Sequence, residues 1–112
     1  MPPEDRVRVL HMIEAAETAI RAMRDKSLDD LRSDDVLSLA MVKALEIVGE
    51  AAWKVTPGTQ AAIPQLPWDL IARMRHRLVH AYFDINLETV WRTIHEKLPP
   101  MLETLREALR SS

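Results

Sequence analysis

The sequence contains no cysteine, and among its 112 residues only 2 are glycine and 4% are aromatic. The absence of cysteine excludes disulfide frameworks, zinc sites built on thiolates, iron–sulfur clusters and cysteine nucleophiles. The scarcity of glycine and aromatic residues argues against an all-β fold, which needs many tight turns and strands rich in β-branched or aromatic side chains. The composition therefore favours helix.

Long apolar runs and an excess of positive charge are also missing. No stretch contains about 18 consecutive apolar residues, the length that spans a membrane, and the first residues show no signal-peptide pattern. We therefore expect a cytoplasmic protein without membrane contact. With a formal net charge of −2, the chain lacks the broad positive field of a general nucleic-acid binder, although this charge still allows a local basic patch. A hydrophobic content of 47% and a charged content of 29% are typical of a folded protein, here one domain over residues 1–112.

Apolar residues recur at helical spacing along most of the chain. Steps of four and three predict helices over residues 4–26, 34–54, 67–81, 87–98 and 99–110, with a kink or restart at Pro99. The third helix is expected to turn Leu70, Met74 and either Leu78 or Val79 inward. Helices with one apolar face each bury those faces most simply in an up-and-down bundle of four to five helices. The sequence therefore predicts an all-α bundle, whose remaining exposed apolar residues a homodimer would cover.

Residues 55–67 contain three prolines and one glycine but few charges, which predicts a connection with at least one turn. The segment is long for a link between two helices. It is either a packed surface loop or a wall of a functional site.

The chain concentrates positive charge between residues 73 and 80, which include Arg73, Arg75, His76, Arg77 and His80. One interpretation is a solvated basic face. The residue types also fit RNA cleavage, because arginine is a permanent planar cation suited to phosphate and histidine transfers protons near neutral pH. An imidazole can take the proton of a ribose 2′-hydroxyl, which attacks phosphorus, while arginine stabilises the phosphoryl oxygens. Such a reaction needs no metal, because the nucleophile belongs to the substrate.

The spacing of these residues leaves alternatives open. His76 and His80 share one helix face and could bind a metal together, but no third ligand is suggested, so we expect neither metal nor cofactor. Arg75 and His80 diverge by about 140° around an ideal helix. A symmetric dimer, or fraying of the helix after Val79, would bring them around one phosphate. Tyr82 fits a boundary residue, a group that orients substrate or a site of modification.

The residues from Arg75 to Tyr82 resemble the R-(polar)-x3-H-x-Y motif of the HEPN-domain ribonucleases, specifically the HepT-like toxins. Three further segments resemble this family in the same order, namely residues 47–52, 63–68 and 84–91. The resemblance spans about residues 47–98. One variation is His76, which stands where the family often has Asn or Asp.

The resemblance implies a HEPN bundle that works as a homodimer and cuts RNA without a metal, with Arg75 and His80 as its catalytic residues. It also implies the toxin of a toxin–antitoxin module that cleaves tRNA or mRNA. In such modules a minimal nucleotidyltransferase antitoxin silences the nuclease by transferring AMP from ATP to the motif tyrosine. Tyr82 occupies that position.

Glu50 falls at the Gly-Glu pair of the family, where we expect it to pair with a motif arginine and orient it. Arg73, His76 and Arg77 are expected to support substrate binding. The alternative hypothesis is a non-catalytic helical module that binds and regulates a nucleotidyltransferase partner.

Overall fold

A computed structural model describes residues 1–80 and 84–112 of the chain. These residues form α1 (Pro3–Ala22), α2 (Leu28–Ser33), α3 (Asp35–Lys54), α4 (Pro57–Ala62), α5 (Trp68–His80), α6 (Leu87–Arg92) and α7 (Leu98–Ser111). A π-helical turn at Thr93–Lys97 joins α6 to α7. No strand occurs within the two ranges, and the predicted all-α bundle is confirmed.

Helix α3 packs against both α1 and α5, and α1 packs against α7. Helices α1 and α3 run antiparallel, because Asp5 at the start of α1 contacts Thr56 just beyond the end of α3. The indole N–H of Trp91 donates to the carbonyl oxygen of Lys26 at 3.0 Å and ties α6 to the segment that follows α1. Most of the apolar residues that recur at helical spacing in these helices are buried, including Val9, Ile13, Ala16, Met41, Ala44, Val48, Ile94, Leu98 and Leu105.

Helix α1 ends at Ala22, earlier than the predicted residue 26. Asp25 has a φ of 62°, in the left-handed region that ends a helix and that aspartate tolerates better than most residues. The additional helix α2 then begins with a capping box, in which Ser27 Oγ accepts from Asp30 N at 3.1 Å and the Asp30 carboxylate accepts from Ser27 N at 2.8 Å. The sequence pattern did not predict this helix, because six residues are too few to show an apolar stripe.

The predicted restart near the two prolines takes the form of the π-helical turn at Thr93–Lys97. A proline inside a regular helix lacks the N–H for the backbone bond, and its ring collides with the carbonyl four residues earlier. The wider turn allows α7 to begin at Leu98 with Pro99 and Pro100 in its first turn. Backbone N–H groups in the first turn of a helix have no carbonyl acceptor within that helix, so prolines there break no helical hydrogen bond.

The inward face of α5 is offset from the predicted one. Leu78 is buried and Met74 is half-buried, whereas Leu70 is 60% exposed and Val79 is exposed as well. Ile71 takes the place expected of Leu70, because it lies three residues before Met74 and seven before Leu78.

Residues 57–62 form α4, and this short helix is anchored to the start of α1. Asp5 is only 1% exposed, and its carboxylate accepts hydrogen bonds from Thr56 N at 3.1 Å, Thr56 Oγ1 at 2.5 Å and Thr59 Oγ1 at 2.5 Å. Burial alone would raise the pKa of Asp5, but the hydrogen bonds from the two threonines outweigh it and the pKa is lowered. The long connection is thus a packed segment held by one buried carboxylate.

We expect Asp5→Ala to lower the free energy of unfolding by about 1–3 kcal/mol, because the Thr56 and Thr59 donors lose their acceptor. Glu4→Ala removes an exposed carboxylate from the same helical turn and is the matched control, with an expected loss below about 1 kcal/mol. Urea unfolding of both variants near neutral pH measures the difference. Equal losses in the two variants would contradict the anchoring role.

The same contact makes stability depend on pH. Because the pKa of Asp5 is lower in the folded than in the unfolded chain, its contribution is present above the ordinary carboxyl pKa of about 4 and is lost as pH falls below it. The difference in unfolding free energy between wild type and Asp5→Ala should therefore shrink from neutral pH towards about pH 3. A difference that stays constant over this interval would be inconsistent with a charged Asp5.

Candidate functional site

The candidate site lies where α5 packs closely against α3 at Gly49. A Cβ atom placed on Gly49 would collide with Cβ of Arg75 and would lie 3.0 Å from the carbonyl oxygen of Ile71. Any side chain at this position would push α5 away, because the nearest atoms belong to the stem and backbone of a neighbouring helix. The missing side chain of Gly49 therefore allows Arg75 to lie directly on α3.

The guanidinium of Arg75 forms an ion pair with Glu50, the residue that follows Gly49. The other carboxylate oxygen of Glu50 contacts Lys54 Nζ at 3.1 Å. The hydrogen bond from Lys54 is the main cause of a lowered pKa of Glu50, with the positive charge of Arg75 adding to it against the opposing effect of burial. Glu50 is thus an anion with both oxygens engaged, and it sets the direction in which Arg75 points.

Trp53 contacts the same guanidinium. Cζ of Arg75 lies 5.6 Å from the centre of the Trp53 ring, within the range of a cation–π interaction. The Trp53 side chain is 62% exposed, and 34% of the Arg75 side chain is accessible. Arg75 is therefore held by a carboxylate and an indole while it still reaches solvent.

A groove of about 390 Å³ opens beside Arg75 on the outer face of α3, between α1 and α5. Its lining brings together cations from three helices, namely Arg8, Lys43, Lys54 and Arg75, with His11 beside them and Glu46 and Glu50 as the anions. The local balance is positive, in contrast to the net charge of −2 for the whole chain.

Apart from Glu50, sequence reasoning missed the residues that α1 and α3 contribute to this groove. Arg8 and Lys43 are far from each other and from Arg75 in the chain, and neither belongs to the basic segment of residues 73–80 or to the segments that resemble the family. The only available signal was the spacing of Lys43, Ile47, Glu50 and Lys54, which places them on one helix face.

His76 and His80 lie together on an exposed part of α5, with their ring centres 4.4 Å apart. Neither lines the groove beside Arg75. The angular difference of about 140° between positions 75 and 80 explains this separation. Within one chain, the two predicted catalytic residues do not face a common point.

Arg73 and Arg77 line a second cavity, of about 360 Å³, which also includes Leu70, Leu78, Asp84 and Asn86. The basic residues of α5 are therefore divided among three surfaces rather than gathered at one. Arg75 faces α3, the two histidines face solvent, and Arg73 and Arg77 face the start of α6.

Tyr82 lies outside the described residues, which stop at His80 and resume at Asp84. Within those two ranges, no three histidine, aspartate or glutamate side chains are grouped so that they could hold a metal ion. None of the helices in the described part of the chain is both long and apolar enough to cross a membrane.

The chain is similar in sequence to one protein family and to several proteins named as ribonucleases. Residues 12–108 match the model of a family described as HepT-like, Ribonuclease HepT-like. A protein of Caldanaerobacter subterraneus subsp. tengcongensis named "Putative RNase" is 33% identical over 100 residues, 89% of each chain. A "Probable ribonuclease HepT" of Thermococcus cleftensis is 34% identical over 88 residues, 79% of this chain and 80% of the relative. A "Putative RNase" of Methanocaldococcus jannaschii is 30% identical over 111 residues, 98% of this chain and 92% of the relative. No solved structure matches the chain.

We expect Gly49→Ala to destabilise the protein by about 1–3 kcal/mol and to displace Arg75, because the added methyl group overlaps the stem of that residue. Gly58→Ala is the matched control, since an added Cβ there meets no atom within 4 Å. In helix α4 it should be neutral or stabilising by up to about 1 kcal/mol. Thermal unfolding of the two variants tests the close packing of α3 and α5, and equal stabilities would refute it.

Proposed function

This chain belongs to the ribonuclease HepT-like family, and from that membership we propose that it is a metal-independent endoribonuclease that acts as the toxin of a toxin–antitoxin module. The family match over residues 12–108, which includes Arg75 and His80, is the observation that carries the proposal. The relatives named as ribonucleases support RNA as the substrate. The proposed substrate is tRNA or mRNA, and the proposed location is the cytoplasm.

In the proposed reaction, neutral His80 takes the proton of a ribose 2′-hydroxyl, and the 2′-oxygen attacks the adjacent phosphorus. The bond from phosphorus to the 5′-oxygen breaks, that oxygen takes a proton from water, and His80 returns its proton to the solvent. The products carry a 2′,3′-cyclic phosphate and a 5′-hydroxyl. Arg75 stabilises the negative charge on the phosphoryl oxygens, and Glu50 acts as a positioning residue through its ion pair with Arg75.

The separation of Arg75 from His80 supports a site built by a homodimer. In a symmetric dimer, Arg75 of one subunit and His80 of the other can face one phosphate across the interface. Exposed apolar residues of α3, among them Val36 and Leu39, would lose contact with water in such a dimer. His76 adds a further donor beside His80, and Arg73 and Arg77 are proposed to hold more distant phosphates.

We expect Arg75→Ala and His80→Ala each to reduce RNA cleavage by about 100-fold or more and to abolish growth inhibition, because each removes a group that acts in the transition state. Arg92→Ala removes an exposed arginine from α6 and should leave cleavage unchanged. Cleavage of total cellular RNA by purified protein, together with thermal unfolding, separates lost activity from lost fold. If wild-type protein free of its partner cuts no RNA but binds a nucleotidyltransferase, the regulatory module is the better reading.

Mixing the two inactive variants tests whether the site is shared between subunits. When Arg75→Ala and His80→Ala subunits are dissociated and reassembled at equal amounts, about half of the dimers are mixed, and each mixed dimer has one intact shared site. Activity should then return to about a quarter of the wild-type value. No recovery would place both residues of each site in one chain.

The proposed regulation acts at Tyr82, two residues after His80. Its phenolic oxygen would attack the α-phosphorus of ATP, pyrophosphate would leave, and the hydroxyl proton would pass to a base of the nucleotidyltransferase. A bulky anion at this position would block the approach of RNA phosphate to His80. The family resemblance of residues 75–82 is the support for this assignment.

We expect coexpression with a cognate minimal nucleotidyltransferase to add whole AMP units to the mass of this chain, and Tyr82→Phe to prevent the gain. Intact-mass spectrometry measures the change, and the chain expressed alone is the control. An unmodified mass in an inhibited complex would show that binding of the partner, rather than AMP transfer, is what inhibits.

A further inference from the structure

We propose that Trp53 is a stacking platform for one base of a single-stranded RNA, next to the phosphate that Arg75 binds. The inference rests on the proposed ribonuclease function and assigns a substrate-binding residue to it. It also specifies the class of RNA, because a base must be free of its own helix before it can stack on a protein side chain.

The first observation is the exposure of Trp53. Trp68 is buried and its indole N–H donates to the carbonyl oxygen of Ile63 at 2.9 Å, and Trp91 is half-buried. Trp53 is 62% exposed, although an indole of this size contributes more to stability when it is buried. Its position therefore calls for a role other than packing within the chain.

The second observation is the surroundings of Trp53. The Arg75 guanidinium lies 5.6 Å from its ring centre, and the ammonium group of Lys54 is held nearby on Glu50. An aromatic ring beside an arginine, with a lysine bound to the same carboxylate as that arginine, fits the way proteins bind single-stranded nucleic acid, with bases stacked on the ring and phosphates on the cations. A base on Trp53 would place its phosphate close to Arg75, the residue proposed to stabilise the reacting group.

The position of Trp53 favours RNA over a protein partner. Besides Arg75, the charged side chains linked to this site are Glu50 and Lys54, and the centres of protein interfaces are depleted of both residue types. The indole is thus set among groups that suit a nucleotide.

The test compares wild type, Trp53→Ala and Trp53→Phe for binding to a short single-stranded RNA with 2′-O-methyl groups, which block 2′-hydroxyl attack. A duplex of the same sequence is the second probe. We expect Trp53→Ala to weaken single-strand binding by about 5- to 150-fold, while duplex binding and the dependence on salt stay unchanged. Trp53→Phe keeps a ring and should lose less affinity. Tryptophan emission of wild type should be quenched by the single strand, and Trp53→Phe should lack this change.

Val7→Ala is the matched control, because Val7 is an exposed apolar residue of α1 that lines neither of the two cavities. Equal single-strand affinity of wild type and Trp53→Ala would overturn the inference. If Trp53→Ala weakened binding of the single strand and of the duplex equally, Trp53 would be assigned to the stability of the fold. If Trp53→Ala dissociated the dimer, as measured by light scattering, Trp53 would be assigned to a protein interface. If wild type neither binds nor cuts RNA, the proposed function fails as well, whereas unchanged binding and cleavage by Trp53→Ala reject only the role of Trp53.

Discussion

The close packing of α5 on α3 at Gly49 is the constraint on which the candidate site depends. Because Gly49 has no side chain, the stem of Arg75 lies against the backbone of α3, and its guanidinium reaches Glu50 and Trp53. A long, flexible cation would otherwise sample many directions in solvent. Two contacts from the same helix limit that freedom, and a group held in one direction stabilises charge without first being ordered. The packing of two helices thus fixes the orientation of the arginine that is proposed to bind the phosphate.

The position of α5 is also supported by contacts among the start of α1, α4 and the start of α5. Asp5 binds Thr56 and Thr59 and holds α4 against α1, and the indole of Trp68 donates to Ile63 just beyond α4. These bonds fix both the chain that leaves α3 and the first turn of α5. Because a helix is rigid along its length, the buried carboxylate of Asp5 near the start of α1 contributes to the placement of Arg75, which lies two turns into α5.

The net charge of −2 hides a strong local pattern. Basic residues of α5 point in three directions, and only Arg75 joins the groove to which Arg8 and Lys43 contribute. A linear cluster of positive charge is therefore not a single binding surface, because a step of one residue turns the side chain by about 100°. This division is the physical reason why the proposed site containing both Arg75 and His80 is proposed to form between two subunits.

Periodicity is a local property, and from it the sequence by itself determined the all-α class, the long helices and the restart near Pro99. It also identified the basic segment from its concentration of charge, and the Glu50 position through the family resemblance. The short helices α2 and α4 lay below the length at which periodicity is visible. Only the tertiary structure decided that Gly49 admits Arg75, that Trp53 stays exposed beside it, and that Arg8 and Lys43 share its groove. Such contacts join residues far apart in the chain, and they form only when helices pack at a distance and rotation set by the whole core.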